Sequence, residues 1–237
     1  MKKTEKKPVA VIKDFTIKSS SKGMRTKGDV VKNKKLKNSS RQWLTRHIND
    51  EFTQASKALG YRARSAFKIL EIQERFKLIT NNTSVLDLGC APGGWSEIIV
   101  KITKNTVIGI DLLPTENLSG ATFLAGDFLD PDIQKQALTL NNNKKFDAIL
   151  SDIAPNTTGI DNVDHLNIIN VIENEVIFIK KNLAENGHFV TKIFQGEGTQ
   201  EIISELKSMF VTTKLFKPKS SRKESKEIYI ICLNFLG

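Results

Sequence analysis

Across residues 39–76 the apolar positions recur at helical spacing. Ala66, Phe67, Ile69, Leu70, Ile72 and Phe76 share one side, and Lys68, Glu71, Glu74 and Arg75 fall between them. That pattern predicts an amphipathic helix, with Ser65 as its N-cap. After Asn81-Asn82 the period changes to short apolar runs separated by helical stretches. Strands are predicted over 84–88, 106–110, 122–124, 146–150, 188–193, 211–216 and 228–235. Helices are predicted over 94–102, 132–140, 164–182 and 199–209, the third stopping near Asn186-Gly187. Strand and helix alternate, so the fold class is α/β, with a mostly parallel, Rossmann-like sheet covered on both faces. No helix separates the last two strands, which are expected to pair as an antiparallel hairpin at one edge.

Charge divides the chain more sharply than hydropathy does. Of 36 Lys+Arg and 26 Asp+Glu in 237 residues, positions 1–38 hold 13 basic and 3 acidic. The remaining residues, 39–237, balance at 23 of each. The first segment has too few large apolar residues to fold alone and is expected to be a disordered basic arm that meets a polyanion. Residues 39–237 are expected to form the one folded domain. Within it, 39–77 and 207–226 are basic, whereas 78–206 carry 17 acidic residues against 8 basic. If the fold joins the two basic stretches they make one phosphate-binding face, with Arg41, Arg46, Arg62, Arg64, Lys217, Lys219, Arg222 and Lys223 as its candidates.

Other features exclude whole classes. No apolar run approaches the ~20 residues that span a bilayer, and no apolar stretch follows Met1-Lys2-Lys3, so neither membrane nor export is expected. Cys90 and Cys232 are too few for a disulfide framework or a zinc site. A cytoplasmic, metal-free monomer is the expectation.

In open parallel sheets, ligands bind beyond the carboxyl ends of the strands. The residues 87–95, Asp-Leu-Gly-Cys-Ala-Pro-Gly-Gly-Trp, follow the first strand and open a helix there. Glycines let a ligand approach the backbone, and a helix N-terminus offers N–H groups. Asp111 ends the second strand, 22 residues after Gly89, where a carboxylate can hold ribose hydroxyls of a dinucleotide or of S-adenosylmethionine. Asp127 follows the third strand and can accept from an adenine amino group. An acidic site of this kind repels a pyrophosphate and favours a cation such as a sulfonium. Asp152 ends the fourth strand. Lys192 lies in an apolar strand and must find a partner or reach the sheet end, because an unpaired buried ammonium is costly. Glu227 opens the last strand.

At these residues the sequence resembles the FtsJ-like ribosomal RNA 2′-O-ribose methyltransferases. The likeness runs from about Ser39 to Leu236 through ordered motifs at 60–68, 86–96, 111–114, 126–128, 151–156, 192–198 and 217–222. The resemblance implies an S-adenosylmethionine-dependent methyltransferase fold of seven strands. It places a catalytic Lys-Asp-Lys-Glu tetrad on Lys68, Asp152, Lys192 and Glu227. It assigns S-adenosylmethionine contacts to Gly93, Trp95, Asp111, Asp127 and Asp152. The implied substrate is a uridine ribose of large-subunit (23S) rRNA in the assembled 50S subunit, with Lys192 as the proton acceptor. A free lysine titrates near 10.4, so neutrality near pH 7.4 costs about 4 kcal/mol. Lys68, burial and the sulfonium favour that loss, while Asp152 and Glu227 oppose it and orient the group.

Three rival readings are weaker. A nicotinamide oxidoreductase does not account for the terminal strand pair or the Pro-Gly-Gly loop. A base-nitrogen methyltransferase would need an aromatic in the 152–155 turn. A non-catalytic ribosome-assembly or RNA-binding module on the same fold does not account for the intact tetrad.

Overall fold

The computed structural model describes residues 50–155, 161–196, 198–222 and 224–237. The basic arm, Arg41, Arg46 and Lys223 lie outside them. Among the described residues two helices come first, α1 (Glu51–Leu59) and α2 (Ala66–Phe76). Of the region 39–76 that reads as helical, 39–49 lie outside the described residues, and the rest forms these two helices with a turn at Gly60. Gly60 takes a left-handed φ of 71°, its N–H donates to the Lys57 carbonyl, and the Tyr61 N–H donates to the Ser56 carbonyl. That pair of bonds is a Schellman ending, which a residue with a Cβ adopts only under strain. Ser65 holds the N-cap position expected of it but does not cap through its side chain. It is itself helical, at φ −61° and ψ −21°.

The sheet follows: β1 (Val85–Leu88), α3 (Gly94–Ile102), β2 (Val107–Asp111), β3 (Thr122–Ala125), α4 (Pro131–Leu140) and β4 (Phe146–Ser151). Then come α5 (Asp161–Asn182), β5 (Leu183–Phe194), α6 (Thr199–Met209), β6 (Phe210–Phe216) and β7 (Glu227–Phe235). The seven strands lie in the order β3-β2-β1-β4-β5-β7-β6. The first five are parallel, and β7 runs antiparallel to both β5 and β6. The predicted fold class is thus what the chain adopts, terminal hairpin included. The largest difference in boundary is at β5. β5 begins at Leu183, directly after α5, and passes through Asn186 at φ 61° with a register shift opposite Phe146 and Ala148.

Strand alternation places the helices. Leu86, Leu88, Ile108, Ile110 and Phe189 pack with α5 and α6 through Ile172, Ile179 and Leu206. Val85, Val107, Leu150, Val190, Tyr229 and Ile231 pack on the other face with Ile69 and Ile72 of α2 and Trp95, Ile98 and Ile99 of α3. Both faces of the central strands are therefore apolar, as parallel strands require. Burying each such side chain contributes about 1.5–3 kcal/mol. Polar side chains collect at one edge, beyond the carboxyl ends of β1 to β5. Among the described residues no helix is long and apolar enough to cross a membrane.

Candidate active site

The tetrad residues arrive from four elements. Asp152 is the first residue beyond β4, Lys192 lies in β5, Lys68 is in the first turn of α2, and Glu227 opens β7. The antiparallel β5–β7 register sets Lys192 opposite Tyr229 and Phe194 opposite Glu227. These four side chains do converge. The Lys192 Nζ donates to Asp152 Oδ1 at 2.9 Å and to the Asp152 carbonyl at 2.7 Å. The Lys68 Nζ lies 3.0 Å from Glu227 Oε1 and 3.7 Å from Asp152 Oδ1. The cluster is enclosed, with side-chain exposures of 5% for Lys192 and 11% for Lys68.

Two further residues, neither of them singled out by the sequence pattern, complete the cluster. Tyr229 donates its hydroxyl to Asp152 Oδ1 at 2.7 Å, and its ring lies 5.5 Å beneath the Lys68 ammonium. Ser221 donates to Glu227 Oε1 at 2.8 Å. Burial alone would raise the Asp152 carboxyl, but the Lys192 and Lys68 ammoniums and the Tyr229 hydroxyl outweigh it and hold its pKa below the ordinary value. Burial and the neighbouring Asp152 and Glu227 push the Tyr229 hydroxyl well above its usual range, so it stays a donor. Each charge pair near 4 Å is worth about 4 kcal/mol at an effective dielectric of ~20. Desolvation takes much of that back, so the cluster fixes geometry more than it adds stability.

Beside this cluster lies the glycine loop. Gly89 and Gly93 have φ of 72° and 98°. A Cβ on Gly89 would come within 2.8 Å of the Ile153 side chain and 3.0 Å of its backbone, so only glycine lets the loop lie against the turn that carries Asp152. Asp111 binds the loop together: its Oδ2 accepts from the Ala91 N–H at 2.9 Å and its Oδ1 from the Leu113 N–H at 2.8 Å. Exposed Leu112 and Leu113 follow it. Asp127 is exposed at the end of β3, where its Oδ1 accepts from the Leu129 N–H at 2.9 Å and makes a local turn. The Trp95 indole is not open to a ligand. It is buried in the core with its ring 5.7 Å from that of Tyr229, so only its backbone, in the first turn of α3, faces the loop.

Asp87 is buried at the end of β1, where Ser96 donates to its Oδ2 at 2.6 Å. Burial raises its pKa to about 7, although the Ser96 bond pulls the other way. Its Oδ1 is buried with no hydrogen-bond partner among the described residues. An orphaned carboxylate oxygen beside a glycine-lined loop fits a ligand that carries an ammonium or sulfonium charge.

The two basic stretches meet. Arg64 Nη2 donates to the Ser220 carbonyl, and Glu71 accepts from the Lys219 and Ser220 N–H groups at 2.7 and 2.9 Å. Exposed Lys217 and Lys219 and half-buried Arg222 therefore flank the Arg64 region. Arg62, expected on this face, is turned elsewhere. Its guanidinium donates to the carbonyls of Pro92 (3.4 Å), Glu116 and Asn117 (both 2.7 Å), clamping the glycine loop to the segment after β2.

The chain is similar to known proteins. The model of a family described as FtsJ-like methyltransferase matches residues 61–235. A protein of Granulibacter bethesdensis named ribosomal RNA large subunit methyltransferase E is 42% identical over 83% of this chain and 85% of its own length. One of the same name from Francisella tularensis is 42% identical over 84% of this chain and 98% of its own. A crystal structure described as that of a ribosomal RNA methyltransferase from Plasmodium falciparum is 30% identical, superimposes with a TM-score of 0.68, and is covered in full by 75% of this chain. The motifs that build the glycine loop and the four-charge cluster lie inside the matched span, and the chain belongs to the FtsJ-like methyltransferase family.

Proposed function

We propose that the protein transfers a methyl group from S-adenosylmethionine to the 2′-oxygen of a uridine ribose in large-subunit (23S) rRNA, acting on the assembled 50S subunit. The observation that carries the reading is the buried Lys68–Asp152–Lys192–Glu227 cluster beside the loop of Gly89 and Gly93. The names borne by its relatives support the substrate. Gly93, the Trp95 backbone, Asp111, Asp127 and Asp87 would hold the cofactor, with Leu112 and Leu113 against its base. When bound, the cofactor supplies an electrophilic methyl on a cationic sulfur.

The chain's own residues do the rest. Lys192, once its ammonium has released a proton to solvent, takes the proton of the ribose 2′-hydroxyl through its neutral Nζ, and Asp152, braced by Tyr229, aims that nitrogen. Lys68 bridges Glu227 and Asp152 and sets a second positive charge near Lys192. The cluster sums to zero charge with all four groups ionised, so positioning two substrates supplies much of the rate. The direct test is a map of ribose methylation on large-subunit RNA from cells with and without the protein. One uridine 2′-O-methyl is lost on deletion and restored by the wild-type chain; an unchanged map rejects the reading.

Two further outcomes follow from the flanks of the site. Arg62→Ala frees the clamp on the glycine loop and weakens cofactor binding about tenfold, or ~1.4 kcal/mol, measured by calorimetry. Equal affinity would return Arg62 to the phosphate face. Replacing Lys217, Lys219 or Arg222 by glutamine reduces the slope of log affinity for RNA against log salt by about one each. An unchanged slope removes that residue from the RNA contact.

A further inference from the structure

Glu175 sits in the middle of α5 with no exposed surface. Ile172 and Ile179, one turn to either side on the same face, are apolar and fully buried, as a helix packed on a sheet requires. A carboxyl at that position needs a reason, because an apolar residue of similar volume would pack at least as well. Its two oxygens are both used. Oε1 accepts from Ser151 Oγ, and Oε2 accepts from Thr191 Oγ1 at 2.6 Å. Ser151 closes β4 and immediately precedes Asp152, and Thr191 immediately precedes Lys192 in β5. One buried carboxyl thus spans the two strands whose next residues form the Lys192–Asp152 pair. Burial pushes its pKa up to about 7, while the Ser151 and Thr191 bonds and the Lys192 charge pull it back.

We propose that Glu175 is a positioning residue for the methyl-transfer site, locking the ends of β4 and β5 behind Lys192 and Asp152 and coupling its charge to Lys192. The proposal deepens the function above and rests on it for its catalytic meaning. The charged groups around the pair are Lys68 from α2, Glu227 and the Tyr229 hydroxyl from β7, and Asp87, which acts on Asp152 from β1. Lys192 is the charged group that acts on Glu175 from the strand opposite.

The coupling is testable without any methylation. Carbon-13 NMR of labelled glutamate, with Glu175 assigned by its loss in Glu175→Gln, follows the carboxyl in the full-length wild type and in Lys192→Met. Coupling of charges is reciprocal, so removing the ammonium moves the Glu175 midpoint to higher pH. An unmoved midpoint in the folded variant overturns the proposal, whatever Lys192 does in catalysis. The second readout keeps the test alive if Lys192→Met does not fold. Glu175→Gln, isosteric and neutral, lowers the single-turnover rate at pH 8 by roughly tenfold or more with RNA and cofactor affinities unchanged. The rising limb of its pH profile also moves to lower pH, because a charge that favours the protonated lysine is gone. A variant that loses only thermal stability, with rate and profile intact, makes Glu175 a structural residue and overturns the proposal. Failure of the proton-acceptor reading shows separately, as a Lys192→Arg enzyme that keeps its rate.

Discussion

Lys192→Arg lowers the single-turnover rate of methyl transfer by about 10²–10⁴-fold near pH 8, the range a positioned general base supplies. Arginine retains the positive charge and the donors that meet Asp152 Oδ1 and the Asp152 carbonyl, so the cluster keeps its balance of two positive and two negative groups. What arginine cannot do is release a proton, since its pKa exceeds 12. The variant therefore separates proton transfer from positioning. Profiles from pH 6 to 10 show a rising limb for the wild type and none for the variant. If the arginine enzyme keeps near-full rate, Lys192 only positions, and the hydroxyl proton leaves to water.

Asp152→Asn has the larger effect on the fold. Asp152 Oδ1 accepts from Lys192 and from Tyr229 and lies 3.7 Å from the Lys68 ammonium. Neutralising it leaves two enclosed ammoniums with Glu227 as their remaining acidic partner in the cluster. Removing one member of a buried ion group costs about 3–5 kcal/mol. For a domain of this size that is a fall of roughly 10 °C in Tm at pH 7. Activity falls at least ~100-fold as well, because Lys192 loses its aim. The pH dependence has a definite sign. The folded Asp152 carboxyl titrates below its ordinary value, so its contribution is complete above the unfolded pKa of about 4 and is lost as pH falls through the lower folded value. Wild type and variant accordingly converge in stability on the acid side. Asp87 and Glu175 act with the opposite sign. Their folded pKa values of about 7 exceed the unfolded ones, so each costs stability as pH rises from about 4 to 7. An Asp152→Asn protein as stable as wild type at pH 7 contradicts the enclosed ion cluster.

The parts of this architecture that depend on local pattern were readable from the residues alone. Alternating apolar runs and helical stretches specify the sheet, and the helix-free stretch of 217–226 between the last two strands specifies the antiparallel hairpin. The turn at Gly60 had a visible signal, a glycine after a lysine-bearing turn, and the helix that follows begins directly after Ser65. The site divides in the same way. Charged residues at strand ends declare themselves, because an unpaired charge at the end of an apolar strand needs a partner. Tyr229 and Glu175 do not. Tyr229 lies in an apolar strand run, and its hydroxyl meets an acceptor 77 positions earlier in the chain. Glu175 stands among asparagines and other acids along α5, and only its phase with Ile172 and Ile179 sets it apart from the exposed Glu173. Arg62 was misleading for a related reason. Composition marks an arginine in a basic stretch as a phosphate ligand. Tertiary packing instead turns the guanidinium onto three carbonyls.

The central claim is that the four-charge cluster and the glycine loop form one site. The most direct measurement is a crystal structure of the full chain with S-adenosylhomocysteine bound. The account predicts its sulfur beside Lys192, its ribose at Asp111, and the Lys192–Asp152 and Lys68–Glu227 pairs still in contact as one cluster. A ligand seated away from Gly93, or a Lys68 or Glu227 side chain swung out of the cluster in that complex, contradicts it.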